Sequence, residues 1–512
     1  MKIFPLIIIL SLIVSFASAR EKTYNIVDFG AKADGTTNNT KAIQTAINNA
    51  YENGGGTVLV PKGNFVTGVI YLKSNINLHL AAGAHLLATT NRADYGPKKA
   101  SALIRAEDAH HLSITGKGTI DGQAELLLKD IYRMLNNGTL EDAEWKTYND
   151  WHQMRPAEDN RPHLIEFKNC TDIQLKNYTI KNGLCWIQTY RDCSNMVIDS
   201  IHVESNTFLN NDGIDLVDCK KVKLSNSSFN VADDGICLKS SNPKSSCEDI
   251  DISNCKIRSS ASAFKLGTAS LGGFKRIKVR NLYVYDTFRS AIAIETVDGG
   301  VIDGIDIRDV VAKNTGNAIF IRLGKRKKDA EAGILRNVYI GNVKAEIPLG
   351  KPDAGYSMEG PPELFSHNIF PASITGIPGH NAQHITLANI EITYAGGAKK
   401  EKAWFAADSL TKIPENIGAY PEFSMFGELP AWAFYVRHAE DIVMKNIKFN
   451  YQQSDARTAC IFDDVAGLQL YNIAIQKSAT EPVIILNNVK QPKLRKISGP
   501  GDLKKAVKYT GM

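Results

Sequence analysis

From about residue 170 the chain alternates apolar and polar positions with period two, in short runs of one form. "DIQLKNYTI", "MVIDSIHV", "VKLSNSSF", "IDISNCKI", "IKVRNLYV" and "ITLANIEI" each lead two or three alternating apolar residues into Asn, Asp or Ser, then into another apolar pair. Period two predicts short strands. The turn positions Asn177, Ser200, Asn226, Asn254, Asn281 and Asp309 are separated by 23 to 28 residues. A fixed period in this range is the mark of a solenoid. Little but Gly, Asn, Asp and Ser lies between the strands, and these are turn formers. Strands without helices at one period predict an all-β, right-handed parallel β-helix. Each coil would lay its Ile, Val and Leu on those of the next, and the recurring Asn would form a hydrogen-bonded ladder along the stack. Propeller blades need about 40 residues or more, and leucine-rich repeats would show a helix in each unit.

A different period precedes the coils. In "KAIQTAINNAYE", Ala42, Ile43, Ala46, Ile47 and Ala50 share one face of a helix over 41–52. A short helix there would cap the open N-terminal end of the stack, as solenoids require. Three stretches interrupt the repeat, at about 123–161, 325–378 and 419–438. Interruptions this long in a compact array are commonly functional. The first carries Trp151 and His152 and the third is aromatic, so side chains from them can stack on sugar faces.

Composition adds limits. The chain has 512 residues, 43% hydrophobic and 22% charged, with a net charge of +6. That is ordinary for a globular protein, and no clustered basic footprint for nucleic acid is present. The run Lys325 to Lys328 reads as a solvated loop. The N-terminal "MKIFPLIIILSLIVSFASAR" has a Lys, an apolar run and the small-x-small Ala17-Ser18-Ala19. It reads as a signal peptide over residues 1–19, cleaved after Ala19, leaving one catalytic domain over 20–512, secreted or periplasmic. No stretch reads as a membrane span. The eight Cys form no CxxC pair, so no metal is expected from them. Most fall between Cys170 and Cys255, and several fit as small buried residues stacked in the core.

The chemistry lies in "NNDGIDLVDCKKVKLSNSSFNVADDGICLKS". Asp212 is followed after 21 and 22 residues by Asp233 and Asp234, each turn ending in Gly. With a coil of about that length, Asp212 lies beside the pair on the neighbouring coil, at an inter-strand spacing of roughly 4.8 Å. Three carboxylates so close repel one another, and one holds its proton at neutral pH. An adjacent acid and base are what glycosidic hydrolysis needs. Asp is also a good turn cap, but two stacked turns, one doubled, favour catalysis.

These motifs resemble glycoside hydrolase family 28, the polygalacturonases and their relatives. The likeness runs from residue 23 to about 480 and includes "YNIVDFGAKADGTTNNTKAIQTAI", "GTIDGQ" and "RPHLIEF". It implies a secreted, inverting glycosidase acting on pectic or related acidic polysaccharide, exo-acting because insertions block one end of the groove, monomeric and without cofactor. Asp233 would be the general acid, and Asp212 with Asp234 would hold the attacking water. Two departures stand out. Ser262 in "ASAFKLGT" falls where the family has His, and Ala293 and Glu295 in "SAIAIETVDGG" fall where it has an Arg-x-Lys carboxylate clamp. Lys265, Arg322 and Lys325 are the candidate replacements, and Glu295 would repel a uronate. The rivals are a polysaccharide lyase on the same fold and a non-catalytic carbohydrate-binding β-helix.

Overall fold

The computed structural model describes residues 22–97, 99–146, 156–360, 370–399, 409–476, 482–499 and 503–511. The fold is the expected right-handed parallel β-helix. Its strands pair in parallel with the strand one coil on. Helix α1, Thr40–Glu52, buries Ile43, Ala46, Ile47 and Ala50 over the first coils. The Lys-rich C-terminal region, for which the sequence predicts no element, continues the stack: Lys493–Ser498 and Val507–Thr510 each pair in parallel with earlier strands.

The row that matters for function is β1 (Gln188–Arg191), β2 (Ile214–Val217), β3 (Ile236–Ser240), β4 (Phe264–Ser270), β5 (Gly273–Thr296) and β6 (Val301–Leu323). Alternation assigns the faces. Leu216, Leu238, Leu266, Ile294 and Ile321 are in register across five coils, all fully buried. The opposite face stacks Thr189, Asp215, Cys237, Lys265 and Ala293. In such a stack each apolar side chain meets its own kind above and below, so dispersion and burial add along the axis.

The turn residues behave as the repeat predicts. Asn177, Ser200, Asn226, Asn254, Asn281 and Asp309 all have φ between 51° and 68°. Asn and Asp tolerate this left-handed conformation better than other side chains. Asn254 donates its amide to Asn226 Oδ1 at 3.1 Å, and Asn281 donates to Asn254 Oδ1 at 2.8 Å. The ladder resumes at Asn342, Asn389, Asn446 and Asn472. All eight Cys are free and buried, and several donate to carbonyls of adjacent coils.

The first interruption is not wholly loop. Helix α2, Ala124–Asn136, buries Ala124, Leu127 and Ile131 against the stack. Trp145 is buried too and packs in the core. Trp151 and His152 lie outside the described residues.

The ladder gives the first prediction. Asn254→Val loses two hydrogen bonds and forces a β-branched residue to φ 55°, which should lower stability by about 1–3 kcal/mol. Asn254→Gly keeps the backbone geometry and should cost less. Denaturation midpoints measure both; equal losses would mean that the ladder turn imposes no conformational demand.

Candidate active site

The expected Asp placement is a consequence of coil register. Ile214 pairs with Ile236, and Ile236 with Phe264, so Asp212, Asp234 and Ser262 fall beside one another on three successive coils. The Gly residues after the acids permit the approach. Gly213 N–H donates to the Asp234 carbonyl at 2.9 Å, and Gly235 N–H to the Ser262 carbonyl at 2.8 Å. A Cβ on Gly213 would lie 2.6 Å from the Gly235 carbonyl oxygen, and one on Gly235 only 2.7 Å from that of Ala263. Neither position admits a side chain.

The carboxylates line a cavity of about 530 Å³. Asp212 and Asp234 are buried, and Asp233 is half-buried. Oxygens of Asp212 and Asp234 lie within 4.8 Å of each other. Asp233 Oδ1 accepts from the Asp234 backbone N–H at 2.9 Å, and Oδ2 accepts from Asn210 Nδ2 at 3.3 Å. Asn210 in turn accepts from Arg161 at 2.7 Å. The Asp233 side chain is thus held by the pair's own backbone and by a residue one coil back.

Two lysines, Lys265 buried and Lys239 half-buried, balance the charge. Lys239 lies 3.0 Å from Asp212 and 2.6 Å from Asp215. Lys265 lies 3.0 Å from Asp234 and 3.9 Å from Glu295, and its ammonium reaches the Tyr420 hydroxyl at 3.1 Å. Burial opposes both charges, but the neighbouring carboxylates outweigh it and hold both lysines well above their usual range. The carboxylates divide. Burial pushes Asp234 up, yet Lys265, Lys239 and Arg289 together bring it below its ordinary value. Burial, with Asp215, Asp233 and Asp234 nearby, pushes Asp212 well up against the pull of Lys239. Burial also raises Asp215 to about 6 and Glu295 to about 7. A carboxyl pushed toward its protonated form beside one held ionised can share a water molecule between them, one donating to it and the other accepting from it.

Several expected substrate ligands are elsewhere. Lys265 borders the cavity, but its charge is directed at Asp234. Glu295 is buried behind Lys265 and accepts from Thr268 Oγ1 at 3.3 Å, so it does not meet a substrate carboxylate. Arg322 is 1% exposed and donates to the carbonyls of Gly376, Glu415 and Asn416, anchoring a later segment. Lys325 is not part of the cavity wall, whereas its neighbour Arg326 is, paired with Asp298 at 2.6 Å. The run is an exposed loop, as expected, and Arg326 reaches the cavity from it. Ser262 holds Asp234 through its backbone N–H at 3.1 Å.

Residues that the sequence reading passed over complete the wall: Trp186, Arg191, Lys239, Arg289 and Tyr420. Lys239 was findable, because alternation along β3 puts it on the same face as Cys237. Tyr420, 155 residues beyond Lys265, comes from the third interruption, whose aromatic content is its one sequence cue. Arg289 comes from the middle of β5 and pairs with Glu422 at 3.4 Å, while its Nε has no hydrogen-bond partner among the described residues.

The model of glycosyl hydrolases family 28 matches residues 53–346, more than half of the chain and all three Asp. The chain belongs to that family. It is therefore a glycoside hydrolase. It is 25% identical over 425 residues to a Vitis vinifera protein named "Probable polygalacturonase", covering 75% of this chain and 77% of that one. It is 28% identical over 260 residues to the exo-poly-alpha-D-galacturonosidase of Dickeya chrysanthemi, covering 44% of this chain and 43% of that one. In fold it is similar to an exopolygalacturonase from Thermotoga maritima, with a TM-score of 0.59, 21% identity, and coverage of 84% and 92%.

Glu295 supplies a test of the buried charge balance. Its pKa in the folded protein, about 7, lies above the ordinary 4.5, so the folded state binds the extra proton. That contribution is full below about pH 4.5 and is lost as pH rises through 7. Glu295→Gln should leave the melting temperature unchanged at pH 5 and raise it at pH 8. A lower melting temperature at pH 8 would show that the ionised Glu295 stabilises Lys265 instead.

Proposed function

We propose that the protein is a secreted, inverting, exo-acting hydrolase of a uronic-acid-containing pectic chain, with Asp233 as general acid. Asp234 is the base, and Asp212 holds the attacking water with it. The observation that carries this reading is the divided ionisation of two carboxylates whose oxygens lie within 4.8 Å. Two carboxyl oxygens this close can share one attacking water. Asp234, ionised, takes its proton as the water attacks the anomeric carbon. Asp212, protonated, donates a hydrogen bond that fixes its position. Asp233, the most exposed of the three, is placed to deliver a proton to the leaving glycosidic oxygen. Both lysines remain cationic, which disfavours the lyase reading, since a lyase needs a neutral base.

Substrate recognition falls to Arg289. Of the cations around the acids, Lys239, Lys265 and Arg326 have carboxylate partners at 3.0 Å or closer. Arg289 lines the cavity and has one looser partner, Glu422 at 3.4 Å. A guanidinium in that state suits a substrate carboxylate. Residues 20–512 act as one catalytic unit, as a monomer. Export by the segment 1–19 lies outside the described residues; no helix among those described is long and apolar enough to cross a membrane.

Asp233→Asn should reduce kcat by roughly 10²–10⁴-fold on pectic oligomers with the melting temperature preserved. If Asp233→Asn and Asp212→Asn both stay near normal on a substrate that the unmodified protein cleaves, the reaction centre is elsewhere.

Arg289 and Lys265 should separate in kinetics. Arg289→Ala should raise KM and lower kcat/KM by about ten- to a hundredfold on uronate substrates, from the loss of a charged hydrogen bond. Lys265→Met should lower kcat and move the acid limb of the pH profile upward, because Asp234 loses the cation that keeps it ionised. A rise in KM alone for Lys265→Met would return it to the role of substrate ligand.

A further inference from the structure

Asp215 stands on the groove face of β2, stacked in register between Thr189 and Cys237. It is 0% exposed, so no substrate group touches it. Nor does it serve a turn. Asp218, three residues on, is a structural acid of the ordinary kind: it accepts from Ser240 Oγ at 2.6 Å and from the backbone N–H groups of Ser241 and Asn242 at 2.9 and 3.1 Å. Among the described residues Asp215 accepts from one group, the Lys239 ammonium at 2.6 Å, and its Oδ2 has no partner. The same ammonium lies 3.0 Å from Asp212. We propose that Asp215 is a positioning residue for the reaction: by holding Lys239 at its own carboxylate it withholds that cation from Asp212, and so keeps Asp212 a hydrogen-bond donor to the attacking water. The proposal rests on the reading of Asp212, Asp233 and Asp234 as the reaction centre.

The surroundings of Lys239 support this. An ammonium has three donors. One is directed at Asp215 Oδ1 and one at Asp212 Oδ2, and the Trp186 ring, its centroid 4.3 Å away, closes a further side. Lys239 borders the cavity but is pinned between two acids and a ring. The shorter of its two contacts goes to the acid that substrate cannot reach. The groups facing Asp215 are Lys239, Asp212, Asp234, Glu158 and Cys237, and those facing Asp212 are Lys239, Asp215, Asp233, Asp234 and Cys185. Burial pushes both thiols up, so they stay neutral. Lys239 is the cation that both acids face.

A lysine set against one carboxylate favours its ionised form, whereas a second carboxylate nearby disfavours it. Asp215 acts in both ways on Asp212, as competitor for the cation and as like charge. Neutralising Asp215 would hand Lys239 to Asp212, which would then ionise at lower pH and lose the proton it donates to water. Removing Lys239 has the opposite sign, because both acids are then buried without a cation and hold their protons to higher pH. With Lys239 gone and Asp215 neutral, the loss of Asp215 has nothing left to act through.

Carbon magnetic resonance of protein labelled at the Asp side-chain carboxyl reads Asp212 directly, its signal assigned by its loss in Asp212→Asn. Asp215→Asn should lower the pH at which Asp212 ionises by about one pH unit or more. The alkaline limb of kcat on trigalacturonate should move down with it. The melting temperature at pH 5 should be preserved, since Asp215, raised to about 6, already holds a proton there. Lys239→Met should move Asp212 upward, and adding Asp215→Asn to it should change nothing further. A fall in that double variant as large as in Asp215→Asn alone would refute action through Lys239. If Lys239→Met does not fold, Asp215→Asn decides by itself: an unmoved Asp212 signal refutes the proposal and leaves the reaction centre standing. A shifted signal with an unmoved alkaline limb also overturns it, because the proton of Asp212 is then not used. If the unmodified protein cleaves no galacturonide, the reaction-centre reading falls, and the proposal with it.

Discussion

Every functional feature depends on the parallel, in-register stacking of consecutive coils. Backbone hydrogen bonds fix the spacing between coils at roughly 4.8 Å. Any side chain on one coil therefore meets the side chain one period later at nearly that distance. On the inner face this stacks Leu on Leu and makes the core. On the groove face the same rule stacks Asp on Asp and would be repulsive without compensation. The length of the coil between Asp212 and Asp234, 22 residues, is thus a statement about chemistry as well as shape.

Compensation comes from cations supplied by the same rule and by insertions. Lys239 and Lys265 rise from the strands that follow the Asp turns, while Tyr420 and Glu422 come from a distant segment that closes over them. Five buried or half-buried acids (Asp212, Asp215, Asp233, Asp234 and Glu295) share three cations, Lys239, Lys265 and Arg289. The shortage of positive charge drives protons onto the most enclosed carboxylates and leaves Asp234, nearest Lys265, ionised. Removing one partner of such a set leaves an uncompensated buried charge, a larger penalty than the pair's own attraction.

The architecture was legible because a period of 23 to 28 residues leaves little choice of fold, and the Asp turns because a coil repeat places them together by counting. Lys265 shows where counting stops. Its position beside the acids followed from the repeat, but whether it faced substrate or Asp234 depended on Tyr420 and Glu295, neither of which its own coil specifies. Arg322 had the residue type for a carboxylate clamp, yet backbone carbonyls of a later segment claim it. Arg289 carries no local motif; it matters because the charged groups around it are already paired, a property of the assembled cavity. Helix α2 was missed within the interruption at 123–161, although the spacing of Leu127 and Ile131 in "AELLLKDIYRML" marks the face set against the core.

The central claim is that water, activated by Asp234, attacks as Asp233 protonates the leaving oxygen. Proton magnetic resonance of the first products from an α-linked oligogalacturonide tests it most directly. The account predicts galacturonate released from a chain end, appearing first as the β-anomer and only later equilibrating. Initial release of the α-anomer, or a product carrying a new double bond, would contradict it.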